Sequence, residues 1–221
     1  ELPEESGGWC DYMVELEFFK SMPEGIRKDA WFLTKVTMTG QERNPETGRY
    51  PLLNWDDPAT NQKHPYWKKN IESSDWVFNY DDGYYETKGI SSASGKTRMI
   101  FRYADILLLY AEAVAYGTKS INDLAFDCMW RVQERAGVPL ISKDVTKEYF
   151  QKAVLDERRW ETAGMEHSCM GRFFTMQRHE ILHLQKNYRD AAELSLNPNL
   201  TLSEEFYYFP IPDNELLIVP G

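Results

Sequence analysis

The stretch that most constrains this chain is residues 98–139, which reads as two helices folded back on each other. From Arg98 the sequence runs RMIFRYADILLLYAEAVAYG. Ile100, Tyr103, Ala104, Leu107, Leu108, Ala111 and Ala115 recur there at three- and four-residue steps, and that spacing predicts one helical face. Gly117 follows, where a helix can end in a left-handed residue. Ser120 is expected to open a second helix, with Asp123 three residues on to return a bond to the cap. That helix carries Leu124, Ala125, Cys128, Met129 and Val132 and stops at Gly137, with Pro139 just beyond. So short a connection makes the two helices antiparallel neighbours. Such a pair cannot bury its apolar face alone and needs further layers.

The rest of the chain can supply those layers. With 221 residues and 42% hydrophobic content it can build one sizeable core or two small ones. A net charge of −10 argues against a nucleic-acid or anionic-membrane partner, since both demand a basic face. No run approaches the roughly 18 apolar residues of a membrane span. The chain opens on Glu1 rather than Met and shows no secretory leader, so it is expected to be a processed or excised piece. Cys10, Cys128 and Cys169 make no disulfide framework, and Cys128 on its helix reads as a small buried hydrophobe.

Three regions differ in texture. Residues 8–38 hold a Gly-Gly-Trp loop, a helix expected from Asp11 to Lys20, then Pro23-Glu24-Gly25 and a β-rich run from Trp31 to Met38. Residues 40–97 are rich in Asn, Asp, Gly, Pro and Trp, with little period. A loop region this long inside a compact protein is usually functional or disordered, and its aromatics argue against disorder. Residues 98–196 are mainly helical: the hairpin, then about Thr146 to Ala163, then about Arg172 to Asn187. Phe206 to Phe209 is a short aromatic run leading into Pro210-Ile211-Pro212, and Asp213 can cap a last turn. With no clear linker, residues 1–221 read as one unit. Residues 40–97 form its aromatic loop region and 98–187 its helical core.

Four motifs stand in order: RYADILLLYAEA at 102–113, RVQERAGVP at 131–139, ERRWE at 157–161 and FPIPDNEL at 209–216. Together with Gly7-Gly8-Trp9 and the Pro-Glu-x-x-Arg stretch from Pro23, the chain resembles the SusD/RagB-type outer-membrane nutrient-binding lipoproteins. Family chains are considerably longer, so the resemblance implies a C-terminal part. The N-terminal part, with its lipidated cysteine, would lie outside it. The implied fold is mainly α, with tetratricopeptide-like helix pairs and an irregular, loop-rich, partly β face. Thr175 stands where the family commonly has an Asp.

The resemblance further implies non-catalytic capture of an oligosaccharide, or in some members a peptide. The captured ligand would be handed to a SusC-like TonB-dependent transporter barrel at the surface of a Gram-negative outer membrane. Membrane contact would come only through a lipid anchor absent from this chain, and no cofactor is implied. The residues suit such a role. Flat indole and phenol rings cover the apolar C–H faces of sugars while polar neighbours bond the hydroxyls. Trp9, Trp55, Trp67, Trp76, Tyr80, Tyr84 and Tyr85 all lie in polar loop contexts, beside Asp56, Asp57, Asp75, Asn79, Asp81 and Asp82. The plainer reading is that about half of these rings only pin long loops to the body. No family motif carries binding residues over, because they lie in variable loops.

His179-Glu180-Ile181-Leu182-His183 matches H-E-x-x-H. On a helix, two histidines one turn apart can share a zinc, with the Glu as general base. Glu193, Glu204 or Glu205 could supply a third ligand. The rival reading is a surface with two chance histidines, and the polar Gln185-Lys186-Asn187 that follows favours it. Asp56-Asp57 and Asp81-Asp82 read as solvated turns rather than glycosidase acids. Glu157, Arg158, Arg159 and Glu161 sit mid-helix and, where buried, must form an ion-pair network.

Overall fold

The structure is a computed structural model that describes residues 6, 13–61, 63–68, 76–79, 81–87, 99–117, 120–164, 166–184 and 189–196. Near its centre are three helices: α3 (Tyr103–Gly117), α4 (Asp123–Ala136) and α5 (Lys147–Thr162). Helix α3 packs along both of the others. Its inner face is Leu108 with three alanines, Ala104, Ala111 and Ala115, and it packs with Phe126, Met129, Val132, Phe150 and Val154 from α4 and α5. Phe126 and Phe150 meet edge to face, with ring centroids 4.8 Å apart. Cys128 is buried in this core as a free thiol. The antiparallel hairpin and the helical layer across it match expectation.

The helix ends show which local signals operate. Thr146 caps α5 by accepting a bond from the Tyr149 amide, and Ala163 follows its last residue, as the sequence predicts. Gly137 ends α4 with φ 69°, and the amides of Gly137 and Val138 reach back to the carbonyls of Glu134 and Gln133. Three expectations at the hairpin are corrected. The cap of α4 is Asn122, whose side chain accepts from the Ala125 amide at 2.9 Å, and not Ser120. Asn is as good a cap as Ser, and it stands where the helical backbone begins. Gly117 remains the last helical residue without a left-handed φ. Ile100 and Tyr103 are 71% and 63% exposed. The helix starts only at Tyr103, where Asp105 accepts from the Arg102 amide at 2.8 Å, so Ile100 lies outside the periodic face.

The amino-terminal part is built differently. Helices α1 (Leu16–Ser21) and α2 (Ile26–Trp31) are short, and α1 starts later than the expected Asp11. The β-rich run splits, because Trp31 closes α2 and the strands β1 (Phe32–Leu33) and β2 (Lys35–Thr37) follow. The loop region contributes β3 (Leu52–Asn54), β4 (Tyr66–Trp67), β5 (Trp76–Phe78) and β6 (Tyr85–Thr87). Among the described residues these form three antiparallel pairs, β1–β4, β2–β3 and β5–β6. The register sets Phe32 opposite Trp67 and Val36 opposite Leu53. Ribbons this short are not stable alone. They rest on two small cores, one of Leu33, Val36, Met38, Tyr66 and Tyr85, the other of Val14, Phe18, Met22 and Phe32.

An ionic layer joins these parts. Glu157 and Glu161 on α5 are both buried, and the Arg27 guanidinium of α2 bonds to both, 3.3 Å from Glu161. Glu161 also receives Arg102 at 2.8 Å and Arg135 of α4, and Arg158 pairs with the buried Glu112 of α3. The expected network around ERRWE is therefore present. Burial pushes the Glu157 carboxyl above its ordinary range and outweighs the opposite pull of Arg27. The backbones close up beside it. A Cβ on Gly25 would lie 2.8 Å from the Gly137 carbonyl oxygen, so only glycine lets α2 seat on the end of α4.

The last described helices are α6 (Glu166–Arg178) and α7 (Ala191–Leu196). The helix expected over 172–187 thus begins earlier and ends at Arg178. The aromatic run 206–209, with Asp213 beyond it, lies outside the described residues.

Candidate functional site

The H-E-x-x-H motif is not the helix-borne histidine pair of a zinc site, because α6 ends at Arg178, just before it. Glu180 takes a left-handed φ of 56°. Its amide bonds to the Gln177 carbonyl at 3.0 Å, and the Ile181 amide bonds to the Met176 carbonyl at 2.8 Å. This is the same end pattern as at Gly137, with a glutamate in the glycine's place. The two histidines are therefore not one helical turn apart on a common face. His179 turns inward, donates from Nε2 to Glu112 at 2.8 Å and stacks on Tyr116 at 4.0 Å, whereas His183 is exposed. Arg178 reaches the same carboxylate at 2.7 Å. Burial and the neighbouring guanidiniums hold the His179 imidazole below its ordinary pKa, favouring the neutral form. The cluster fastens the end of α6 to α3. Among the described residues no group of three His, Cys, Asp or Glu is placed to hold a metal.

The aromatic candidates divide. Tyr85 is 0% exposed, and its hydroxyl bonds to Ser6 Oγ at 2.7 Å and accepts from the Thr37 amide at 3.2 Å. It is a core residue that anchors β6. Tyr84 is buried too, under the Arg49 guanidinium at 4.7 Å, and donates to Glu86 at 3.0 Å. Arg43 covers Tyr50 at 4.1 Å and pairs with Glu86, so these side chains clamp loop 43–50 to the turn at 81–84. Neither Tyr84 nor Tyr85 offers a ring face to solvent in this structure. Asp57 and Asp82 are turn formers, accepting from the Ala59 and Tyr84 amides at 2.8 and 2.9 Å. Both aspartate doublets are turns, as expected. Trp9, Tyr80 and Asp75 lie outside the described residues, as does the side chain of Trp76.

Trp55 and Trp67 are half-buried. They end one continuous run of rings. Trp55 meets Phe19 edge-on at 5.8 Å, Phe19 meets Phe32 at 5.1 Å, and Phe32 meets Trp67 at 5.3 Å. Trp67 is held from behind by the turn that follows α5: a Cβ on Gly164 would come within 2.4 Å of its ring, so the indole lies directly on bare backbone. The first two contacts are edge to face and the third is tilted at 41°, and this mutual packing fixes each ring in position.

Beside this run is a cleft of about 330 Å³. Phe19, Phe32 and Leu33 supply its apolar lining. Lys28, Lys35 and Lys68, with Glu24 and Asp29, supply its charge. The Lys28 side chain is buried; its ammonium stands 4.5 Å over the Phe19 ring and donates to the Met22 carbonyl at 3.1 Å and to Glu24 at 2.6 Å. Lys68 donates to the Asp29 carbonyl at 3.2 Å, and burial lowers its pKa against the opposing effect of the Asp29 charge. Lys35 donates to Asn54 Oδ1 at 2.7 Å. Reading the sequence missed Phe19, Phe32 and all three lysines. The Phe18-Phe19 doublet on a short helix was the one local cue. The lysines come from α2, β2 and the residue after β4, and no spacing in the chain links them.

Of the cleft's apolar lining only Phe19 is partly exposed, since Phe32 and Leu33 are buried. A sequence profile described as the SusD family matches residues 2–221. The chain is 29% identical over 126 residues to the SusD-like protein P25 of Formosa agariphila, an alignment covering 56% of this chain and 22% of that protein. Its fold is similar to that of a SusD superfamily protein from Bacteroides vulgatus, with TM-score 0.62 at 20% identity over 98% of this chain and 44% of the other. A SusD homolog from Bacteroides thetaiotaomicron aligns with TM-score 0.47 at 19% identity over 92% of this chain and 35% of the other. The chain thus spans less than half the length of these relatives. Its matching profile, the four ordered motifs and the helix pair built from them lead to one conclusion: the chain belongs to the SusD family.

Proposed function

We propose that this chain is part of a cell-surface protein that captures oligosaccharides without catalysis, for delivery to a TonB-dependent outer-membrane transporter. In this reading residues 1–221 act as one unit, with the helices as frame and residues 40–97 as the ligand-facing part. A lipid anchor outside the chain holds the protein to the outer membrane. Beyond family membership, the observation that supports the reading is the run of rings from Trp55 through Phe19 and Phe32 to Trp67, bordering a cleft. Among the described candidate rings Trp55 and Trp67 are the half-buried ones, and in this reading their exposed parts meet a sugar face.

Calorimetric titration of the full-length protein with oligosaccharides tests this. Saturable binding without turnover is expected. Trp55→Ala and Trp67→Ala are each expected to weaken it at least tenfold, equivalent to about 1.4 kcal/mol. Binding indifferent to both substitutions would move the site elsewhere. Absence of any oligosaccharide binding, or cleavage of the ligand, would overturn the function.

A further inference from the structure

The three central helices turn different surfaces outward. On α4 the exposed positions include Asp127, Arg131, Glu134 and Arg135, and on α5 Glu148 and Lys152, as expected of helices that border water. Helix α3 has no such charged face. Its two acids, Asp105 and Glu112, are engaged by Arg102 and Arg158, and their side chains are only 12% and 4% exposed. What stands outward instead is Tyr103, Ile106, Leu109, Tyr110 and Ala113, a stripe at three- and four-residue steps. Ile106 is 52% and Leu109 47% exposed. The tyrosine hydroxyls are already bonded, Tyr110 to Asn122 at 3.1 Å and Tyr103 to Arg131 at 2.9 Å, so ring surface is what they offer. A helix that is apolar on every side belongs in an interior. At 15 residues α3 is too short for a membrane span, so the interior is that of a protein.

We infer that the outer face of α3 is an interface, covered in the full-length protein by an apolar helix face from polypeptide beyond residues 1–221. The lack of charge on the stripe selects a permanent cover, since the surfaces of transient partners are more polar. Length supplies the source of that cover. More than half of each matched relative lies outside its alignment with this chain, the alignments covering 22% of one and 44% of the other. Helix pairs of this kind stack in series, each burying the apolar face that its neighbour leaves open. Helices α4 and α5 already pack along α3 from the inner side, so a further helix on the stripe makes α3 a middle layer. This face belongs to the frame, and its cover does not depend on which ligand the protein takes.

Hydroxyl-radical footprinting of the purified full-length protein, read by peptide mass spectrometry, tests this with like residues. Leu109 is compared with Leu124 of α4, and Tyr110 with Tyr149 of α5, which are 54% and 59% exposed here. Leu109 and Tyr110 are expected to oxidise at least about fivefold more slowly than their counterparts, because a packed helix face opens only rarely. Dilution should leave that protection unchanged. Equal rates would overturn the inference, and so would protection lost on dilution, which would assign the stripe to a second copy. A photo-crosslink then identifies the occupant. With Tyr110→p-benzoylphenylalanine in the full-length protein, irradiation is expected to join position 110 to a peptide outside residues 1–221 at the mass of one molecule. A link to a peptide within 1–221, or a cross-linked dimer, would overturn it. The footprint needs no substitution, so it decides the matter even where the variant folds poorly.

Discussion

The helical body and the ribbon face of this chain are held by different kinds of interaction. In the body, α3, α4 and α5 bury a continuous apolar core, and residues within a few positions of each helix end make the bonds that stop it. In the face, two- and three-residue strands contribute little themselves. Loops are fastened instead by single long-range contacts, such as Tyr85 to Ser6 and Thr37, Arg43 to Glu86, and Arg49 to Asp82. A face of this kind can change loop by loop while the body stays the same. That separation suits a protein whose frame must persist while its ligand varies.

The seam between the two regions is the place where a single change does most damage. Arg27→Ala is expected to destabilise by about 3–5 kcal/mol, because Glu157 and Glu161 lose a partner while staying buried. Calorimetric melting checks this. Glu157→Gln is expected to cost far less, since burial already opposes its charge; equal losses from the two changes would break the account of the seam. Within the body, Leu108→Ala opens a cavity among Ala111, Met129 and Phe150 and should cost about 2–5 kcal/mol, measured by denaturant unfolding. Within the face, Tyr85→Phe keeps the packing but removes the hydroxyl that serves Ser6 and Thr37, at about 1–2 kcal/mol. A larger loss from Tyr85→Phe than from Leu108→Ala would reverse the contrast between the regions. The smallest effect concerns a helix end. Glu180→Gly relieves a left-handed glutamate and should stabilise by roughly 0.5–1 kcal/mol in the same melts; destabilisation would mean that the glutamate side chain contributes more than its backbone costs.

The stop of α4 at Gly137 and the stop of α6 before Glu180 use the same backbone bonds, but only the first was legible. Glycine announces a left-handed residue, whereas glutamate does not, so H-E-x-x-H read as a helix surface when it is a helix end. The same limit applied to the rings. Trp55, Trp67, Tyr84 and Tyr85 are alike in composition and setting, and nothing local separates the two half-buried indoles from the two buried phenols. What separates them is the partner each one meets: Phe19 or Gly164 for the indoles, Arg49 or Thr37 for the phenols.

By itself the chain determined whatever depends on neighbours three or four residues apart. The antiparallel hairpin, the span of α5, the buried Cys128 and the need of ERRWE for buried partners all follow from side chains that a helix brings together within one turn. Only the tertiary structure decided which partners those were. Arg27 reaches Glu161 across 134 positions, and three lysines from separate elements converge on one cleft. Contacts at such separations leave no periodic trace, because they are set by how preformed elements pack and not by the backbone geometry of any one of them.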